Sequence, residues 1–416
     1  MVNKKSKPKN PDIGFYLWVA VFLQFFLYVL SSSGIGYPIL KYLFGVNDRF
    51  KDTQNLFEFH LLRDPFDAGI LTDPFVNMGS NVFIFLLAKI FSITGLLNLN
   101  EIYFLFNLAL FATLGFLLYK FSSNIYIAVA LLLSNSFLFT LGRGNLASLA
   151  SIFIAISFIC MLKGKYWIAV VLISLSAWYQ VFYIVFAAIF FIERKYRYTV
   201  YTFLISTSML LGGWQLFGKS FQTNFKIFLH FNEKWNTGYV IGDNGLLHNN
   251  SLFGSLKGLF YLYAENSNLS LSSIQQNVFY LNRIYTLFVL ITGVSLCVVY
   301  LKTFWRSGLP LKISGEILCF VSLLSATFLP VSPDYKWLPV FFGIAYMIGT
   351  KSTFLTKQNV ILIVLLMLPK YLVIYTFPWW EPGMTIGSIL NPFLSLIITI
   401  RLFEFIRNST KKTKLN

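Results

Sequence analysis

The sequence predicts an all-α polytopic membrane protein with about 12 transmembrane helices and two large outer-face loops. Three observations carry that prediction. Of the 416 residues, 56% are hydrophobic and 19% aromatic, and mean hydropathy is +0.67, well above the apolar share of a soluble domain. Apolar runs approaching the roughly 20 residues needed to cross a hydrocarbon core about 30 Å thick recur from end to end. Basic residues fall at the ends of these runs rather than in one block.

Taken in order, the spans lie near 14–35, 81–97, 101–121, 124–141, 145–162, 165–192, 197–217, 283–303, 314–330, 335–349, 358–377 and 386–407. The first reads as an anchor, because its apolar run exceeds a signal peptide's core and no small-residue cleavage site follows. The run 165–192 suits a tilted helix or one broken near Trp178, Tyr179 and Gln180. Lys4, Lys5, Lys7 and Lys9 at one end, and Arg407, Lys411, Lys412 and Lys414 at the other, predict two cytoplasmic termini and an even number of crossings. Twelve crossings place Arg194, Lys195 and Arg197, then Lys302, Arg306 and Lys312, then Lys351 and Lys357, on the inner side. The chain then reads as one integral domain of a cell (cytoplasmic or inner) membrane. A membrane module spans 1–217 and carries the first outer loop, 36–80; a second outer loop spans 218–282, and C-terminal helices fill 283–416.

Several function classes fall away. A net charge of +17 spread over span ends, with no accompanying motif, suits contact with anionic lipid headgroups and not nucleic acid. Cys160, Cys297 and Cys319 sit inside apolar spans, which excludes a disulfide framework or a CxxC metal site. No Walker A loop, GxGxxG or GxSxG is present. His60, His230 and His248 lie in the outer segments without HExxH-type spacing, so no metal site or other cofactor is indicated, although a divalent ion in those segments stays open.

Polar chemistry concentrates outside. Six of the sixteen acidic residues, Asp48, Asp52, Glu58, Asp64, Asp67 and Asp73, follow the first span. A carboxylate held at the membrane rim can accept a proton from a hydroxyl brought to it, the task of a general base, and Asp52 is so placed. The alternative is a solvated loop surface paired with Lys41, Arg49, Lys51 and Arg63. Lys336 stands alone on the outer side in Pro333-Asp334-Tyr335-Lys336, either as an anion-binding cation or as a snorkelling span-end lysine paired with Asp334. In 218–282, Trp235, Tyr239, His248, Asn249 and Asn250 offer aromatic faces and amides suited to sugars, a composition shared by interfacial aromatic belts. Trp379, Trp380 and Glu381 read as belt residues.

Four segments carry a family resemblance. They are Asp48-Arg-Phe-Lys-Asp52-Thr-Gln-Asn55 with Asp64-Pro65-Phe66, Gly142-Arg-Gly144-Asn145-Leu, His248-Asn249-Asn250-Ser251-Leu252-Phe253-Gly254, and Pro330-Val-Ser332-Pro333-Asp334-Tyr335-Lys336. In that order they resemble segments of GT-C type membrane glycosyltransferases, in particular glycosyltransferase family 87, the polyprenyl-phosphate-mannose-dependent mannosyltransferases. The resemblance covers roughly residues 40–345. It departs where many relatives carry a Lys-Pro element and this chain reads Trp178-Tyr179-Gln180-Val181.

The resemblance implies a GT-C-like fold and an inverting transfer of mannose or a similar hexose, on the outer face, from a polyprenyl-phosphate carrier to a lipid-linked or glycan acceptor. Asp52 matches the family's loop-one aspartate and would be the base, with Asp48 second. Lys336 would hold the donor phosphate, with Arg63 and Lys234 in reserve. His248, Asn249, Asn250, Trp235 and Tyr335 would meet the sugar or acceptor. The rival class is a transporter or flippase of lipid-linked glycans, with polymerases and ligases as nearer relatives. A transporter should carry charge at mid-span and show paired halves, whereas here the spans are nearly uncharged and no internal repeat is visible. One conflict stands in this scheme: alternating twelve spans puts Gly142–Asn145 inside, away from the proposed chemistry.

Overall fold

The structure is a computed structural model that describes residues 12–30, 99–143, 145–216, 220–242, 249–267, 269–300, 302, 312–332, 334–368, 373–377 and 380–412. These residues are overwhelmingly helical, and three helices are long and apolar enough to cross a membrane: Leu105–Ser122, Leu271–Tyr300 and Ile386–Ser409. A bent pair, Ile125–Leu132 with Asn135–Gly142, is either a broken span or a re-entrant loop, and shorter apolar helices accompany them. The chain is a helical membrane protein. The first outer loop, 36–80, and the span at 81–97 lie outside the described residues.

Helix α1 (Ile13–Leu30) precedes α2 (Leu99–Ser122), α3 (Ile125–Leu132) and α4 (Asn135–Arg143). The last two meet at 59°, and the buried Gln24 of α1 donates to the Leu133 carbonyl at 2.6 Å, satisfying an acceptor that the bend releases. Helix α5 (Ala147–Leu162) starts where Asn145 turns back on itself, its Oδ1 accepting from Ala147 N at 2.9 Å. That amide gives the Gly142–Asn145 segment a helix-starting role.

The apolar run 165–192 is broken at the position the sequence suggests, but it does not cross once. Helix α6 (Tyr166–Tyr179) ends at an extended Gln180, a 3-10 turn covers Val181–Ala187, and α7 (Ala188–Ile192) returns. The Tyr166 and Phe190 ring centroids are 6.3 Å apart, and the Lys195 ammonium lies 5.3 Å over the Tyr166 ring. A straight helix would separate residues 166 and 190 by about 36 Å. The run is therefore a hairpin with its tip at Gln180. Helix α8 (Tyr196–Leu216) then runs beside α6, with Tyr198 stacked on Tyr166 at 5.2 Å and Tyr201 on Trp167 at 4.7 Å.

This hairpin corrects the alternation expected from twelve spans. It puts Lys163 and Lys165, before it, at the same end of the molecule as Arg194, Lys195 and Arg197, after it. It leaves Gly142–Asn145 at the opposite end, and α4 packs on the turn that carries Lys336. The conflict between that motif and the site disappears.

Past α8 come α9 (Phe221–Trp235), a π-helical turn over Asn236–Ile241, α10 (Leu252–Asn266), α11 (Leu271–Tyr300) and α12 (Gly315–Phe328). A 3-10 turn, Asp334–Trp337, leads into α13 (Leu338–Gly349), followed by α14 (Lys357–Met367). The span expected at 358–377 is corrected here. Leu368 takes the extended conformation that a following proline imposes, so α14 stops and the β-branched, aromatic stretch Val373–Phe377 forms strand β1 instead. It pairs antiparallel with β2 (Trp380–Thr385), matching Val373 with Thr385 and Phe377 with Trp380, a small departure from all-α. Helix α15 (Ile386–Lys412) closes the chain.

The core joins the C-terminal ends of α2, α5 and α13 through Phe121, Phe158 and Tyr346, with centroids 5.3–6.1 Å apart. Helices α12 and α13 touch backbone to backbone at Gly315 and Gly343. A Cβ on Gly343 would lie 2.8 Å from Cys319 N and 2.9 Å from the Gly315 carbonyl oxygen. Gly343→Ala is expected to cost about 1–3 kcal/mol, seen as a lower melting temperature of the detergent-solubilised protein.

Candidate active site

The site is built from three turns brought together by α10. Ahead of that helix, the buried Asn249 receives two backbone N–H groups on its Oδ1, from Ser251 at 3.0 Å and Ser332 at 2.9 Å, and donates from Nδ2 to the Pro330 carbonyl at 3.0 Å. Asn250 N donates to Ser332 O at 2.8 Å, and Ser251 Oγ adds a bond to Pro330 O at 3.0 Å. The His248–Gly254 segment and the Pro330–Lys336 segment, about eighty residues apart in sequence, are thus hydrogen-bonded to each other, and α4 with Gly142 packs on the second. Three of the four resemblance segments converge.

Helix α10 fixes this junction to α15. Pro392 cannot donate to Ser388 O, and Ser255 Oγ takes that carbonyl at 2.6 Å. One residue before the proline, Asn391 Nδ2 donates to Asn250 Oδ1 at 2.8 Å. Gly254 is required by the packing, since a Cβ there would lie 2.5 Å from the Asn249 amide. Lower on α10, the fully buried Lys257 donates to Tyr239 O at 2.9 Å and Gly242 O at 2.7 Å, and Tyr261 Oη to Ile241 O at 3.1 Å. These bonds gather the carbonyls at the end of the π turn, which leave a regular helix unsatisfied. The turn holds Tyr239 stacked on Trp235, with centroids 5.9 Å apart and planes 22° from parallel.

Lys336 occupies the junction's far side. Only 8% exposed, it does not snorkel to water: its Nζ donates to Val331 O at 2.6 Å and lies 4.7 Å over the Phe182 ring at the hairpin tip. Among the described side chains no carboxylate faces it. Burial therefore pushes its ammonium down to about 7 from the ordinary lysine value. Close in sequence to Lys336, Val331 and Phe182, the atoms Trp337 Nε1, Ser332 Oγ and Gln180 Oε1 are buried and without a hydrogen-bond partner among the described residues. The set comprises a cation, two donors and an acceptor shielded from bulk water, suited to a polar anionic headgroup.

The sequence-derived candidates divide accordingly. Lys336 is at the centre. Asn249 and Asn250 are at the junction, with their amides engaged by protein, where they bracket the site. Trp235 is half-buried in the stacked pair, and Lys234 precedes it at the end of α9. The backbone of Tyr335 lies in the 3-10 turn. The Asp334 side chain, with which Lys336 is expected to pair in the alternative reading, and the Tyr335 side chain lie outside the described residues, as do Asp48, Asp52, Arg63, His248 and the loop acids bearing on metal binding. Sequence reasoning passed over Phe182, Lys257 and Asn391. An isolated lysine within an apolar stretch and an Asn-Pro step inside a span are signals that point to the latter two.

Compared with protein-family models, with curated proteins and with solved structures, the chain matches none of them.

Proposed function

We propose that the chain is a membrane glycosyltransferase that moves a hexose, mannose or similar, from a polyprenyl-phosphate carrier to a lipid-linked or glycan acceptor on the outer face, with inversion. The observation that carries the reading is the convergence of three resemblance segments on one buried cation, Lys336, which no carboxylate faces among the described side chains. In this reading Lys336 holds the phosphate and neutralises the charge that develops as it departs. Asp52, with Asp48 behind it, takes the acceptor proton. Lys163, Lys165, Arg194, Lys195 and Arg197 face inward, as the positive-inside rule asks, and Lys336 outward.

The test incubates purified wild type and Asp52→Asn with radiolabelled polyprenyl-phosphate sugars and membrane extract. Wild type is expected to transfer sugar and the variant to lose transfer about 100-fold or more. Equal rates would remove Asp52 from the role of base and turn attention to Asp48. A second reading is favoured by one observation, the broken helical hairpin beside a buried charge, an arrangement used by transporters. Absence of transfer by either protein, with translocation of lipid-linked sugar in reconstituted vesicles, would establish that reading instead.

A further inference from the structure

The ammonium of Lys336 is met by a carbonyl and an aromatic ring, and the ring comes from the hairpin tip. A π face attracts a cation, but more weakly than an anion whose oxygens accept charge-assisted hydrogen bonds. Phe182 therefore occupies the place of a stronger partner. Along its 3-10 turn, exposure falls from 55% at Val181 through a half-buried Phe182 to 0% at Tyr183. Consecutive residues thus lie on the outer surface, against Lys336 and in the core. The outer surface here is apolar, formed at the hairpin tip by the exposed Val181. In a membrane-spanning helical protein such a surface faces lipid. Phe182 stands between that surface and the buried charge. Gln180 Oε1, Ser332 Oγ and Trp337 Nε1, each within two residues of Phe182, Val331 or Lys336, are buried polar atoms that a polar headgroup would satisfy.

We propose that Phe182 is a lipid-side latch over Lys336, displaced when a single-chain lipid phosphate slides in along the bilayer and its phosphate takes the ring's place against the ammonium. The extended backbone at Gln180 interrupts the helix where the turn must swing. The inference rests on the reading of Lys336 as a phosphate-binding residue and adds the route and the residue that guards it.

The test uses full-length protein in nanodiscs and polyprenyl phosphate carrying a diazirine on its first isoprene unit. The expected result is crosslinking within 180–187, removed by excess unlabelled polyprenyl phosphate but not by equal amounts of phosphatidylglycerol or inorganic phosphate, and lost in Lys336→Gln. Phe182→Leu, which keeps apolar bulk but loses the π face, is expected to raise labelling at limiting probe about fivefold, and Phe182→Trp to lower it. Each variant is first checked for a wild-type melting temperature and monodisperse elution. Unchanged labelling in both Phe182 variants, or competition by phosphatidylglycerol or inorganic phosphate as strong as by polyprenyl phosphate, would overturn the latch. Label that depends on Lys336 but maps outside 180–187 would overturn the latch and leave the phosphate-binding reading standing. No competable label at all would overturn both.

Discussion

Replacing Lys336 by Met is expected to lower sugar transfer about 100-fold while leaving the melting temperature of the purified protein unchanged or higher. The two halves of that result have opposite physical origins. Catalysis loses a preorganised charge aimed at the departing phosphate, which typically contributes about 3 kcal/mol to the barrier. Folding loses a burden, because an ammonium withdrawn from water, with no carboxylate facing it among the described side chains, opposes the folded state. The carbonyl of Val331 loses one donor, a smaller effect, and the methionine stem fills nearly the same volume beside Phe182. A structural lysine would behave otherwise, losing stability and activity together. The pH dependence follows with a definite sign. Between about 7, where the folded protein releases the proton, and 10.5, the ordinary lysine value, the unfolded chain holds a proton that the folded one lacks. Stability of the wild type should therefore rise with pH across that window, and the Met variant should lose this slope. Transfer should run the other way. The free enzyme needs the ammonium, so kcat/KM falls as pH climbs above 7, measured with the donor below saturation.

Much of this architecture is legible in the chain because the bilayer imposes a length and an apolar composition on each span. Helices near 101–121 and 386–407 need little beyond that rule. Direction is harder to read. The apolar run 165–192 has the length of one tilted crossing, and nothing in its hydropathy distinguishes that from a hairpin. The distinction lies in Tyr166 meeting Phe190 and Tyr198, contacts between residues far apart in the run. Charge held the missing clue, since Lys163 and Lys165 on one side and Arg194, Lys195 and Arg197 on the other all resist translocation and so favour a shared end. The stretch 358–377 misleads in a related way. Val373–Phe377 is as apolar as a helix would be, but its β-branched and aromatic residues after Pro369 suit a strand. At the site, an isolated outer lysine could be picked out by its odd position, whereas Phe182 could not. A phenylalanine among 46 carries no signal until the fold sets it over a charge.

Replacing Asn249 by Ala is expected to destabilise the protein by about 2–5 kcal/mol and to abolish transfer together with it. The amide closes a bracket between two segments whose sequence separation gives them no other local reason to meet. Removing it strands the N–H groups of Ser251 and Ser332 in a buried place, each costing about 1–3 kcal/mol, while Pro330 O keeps only the Ser251 hydroxyl. The Ser332 turn carries Val331 and Lys336, so the cation loses its aim as the bracket opens. Asn249→Asp separates this account from a direct sugar contact. A carboxylate would still accept from both N–H groups and could serve a sugar hydroxyl, but it would set an anionic oxygen against the Pro330 carbonyl where Nδ2 now donates. If the amide is a bracket, the Asp variant melts well below wild type, and hydrogen exchange at the Ser251 and Ser332 amides rises in both variants. If it is a sugar ligand, both variants keep wild-type melting and exchange, and only the KM for the sugar substrate rises. The crowding of Gly254 against the same amide argues for the first outcome, because a group packed to within contact distance of a glycine on one side and bonded on three others has no freedom left to reach for a substrate.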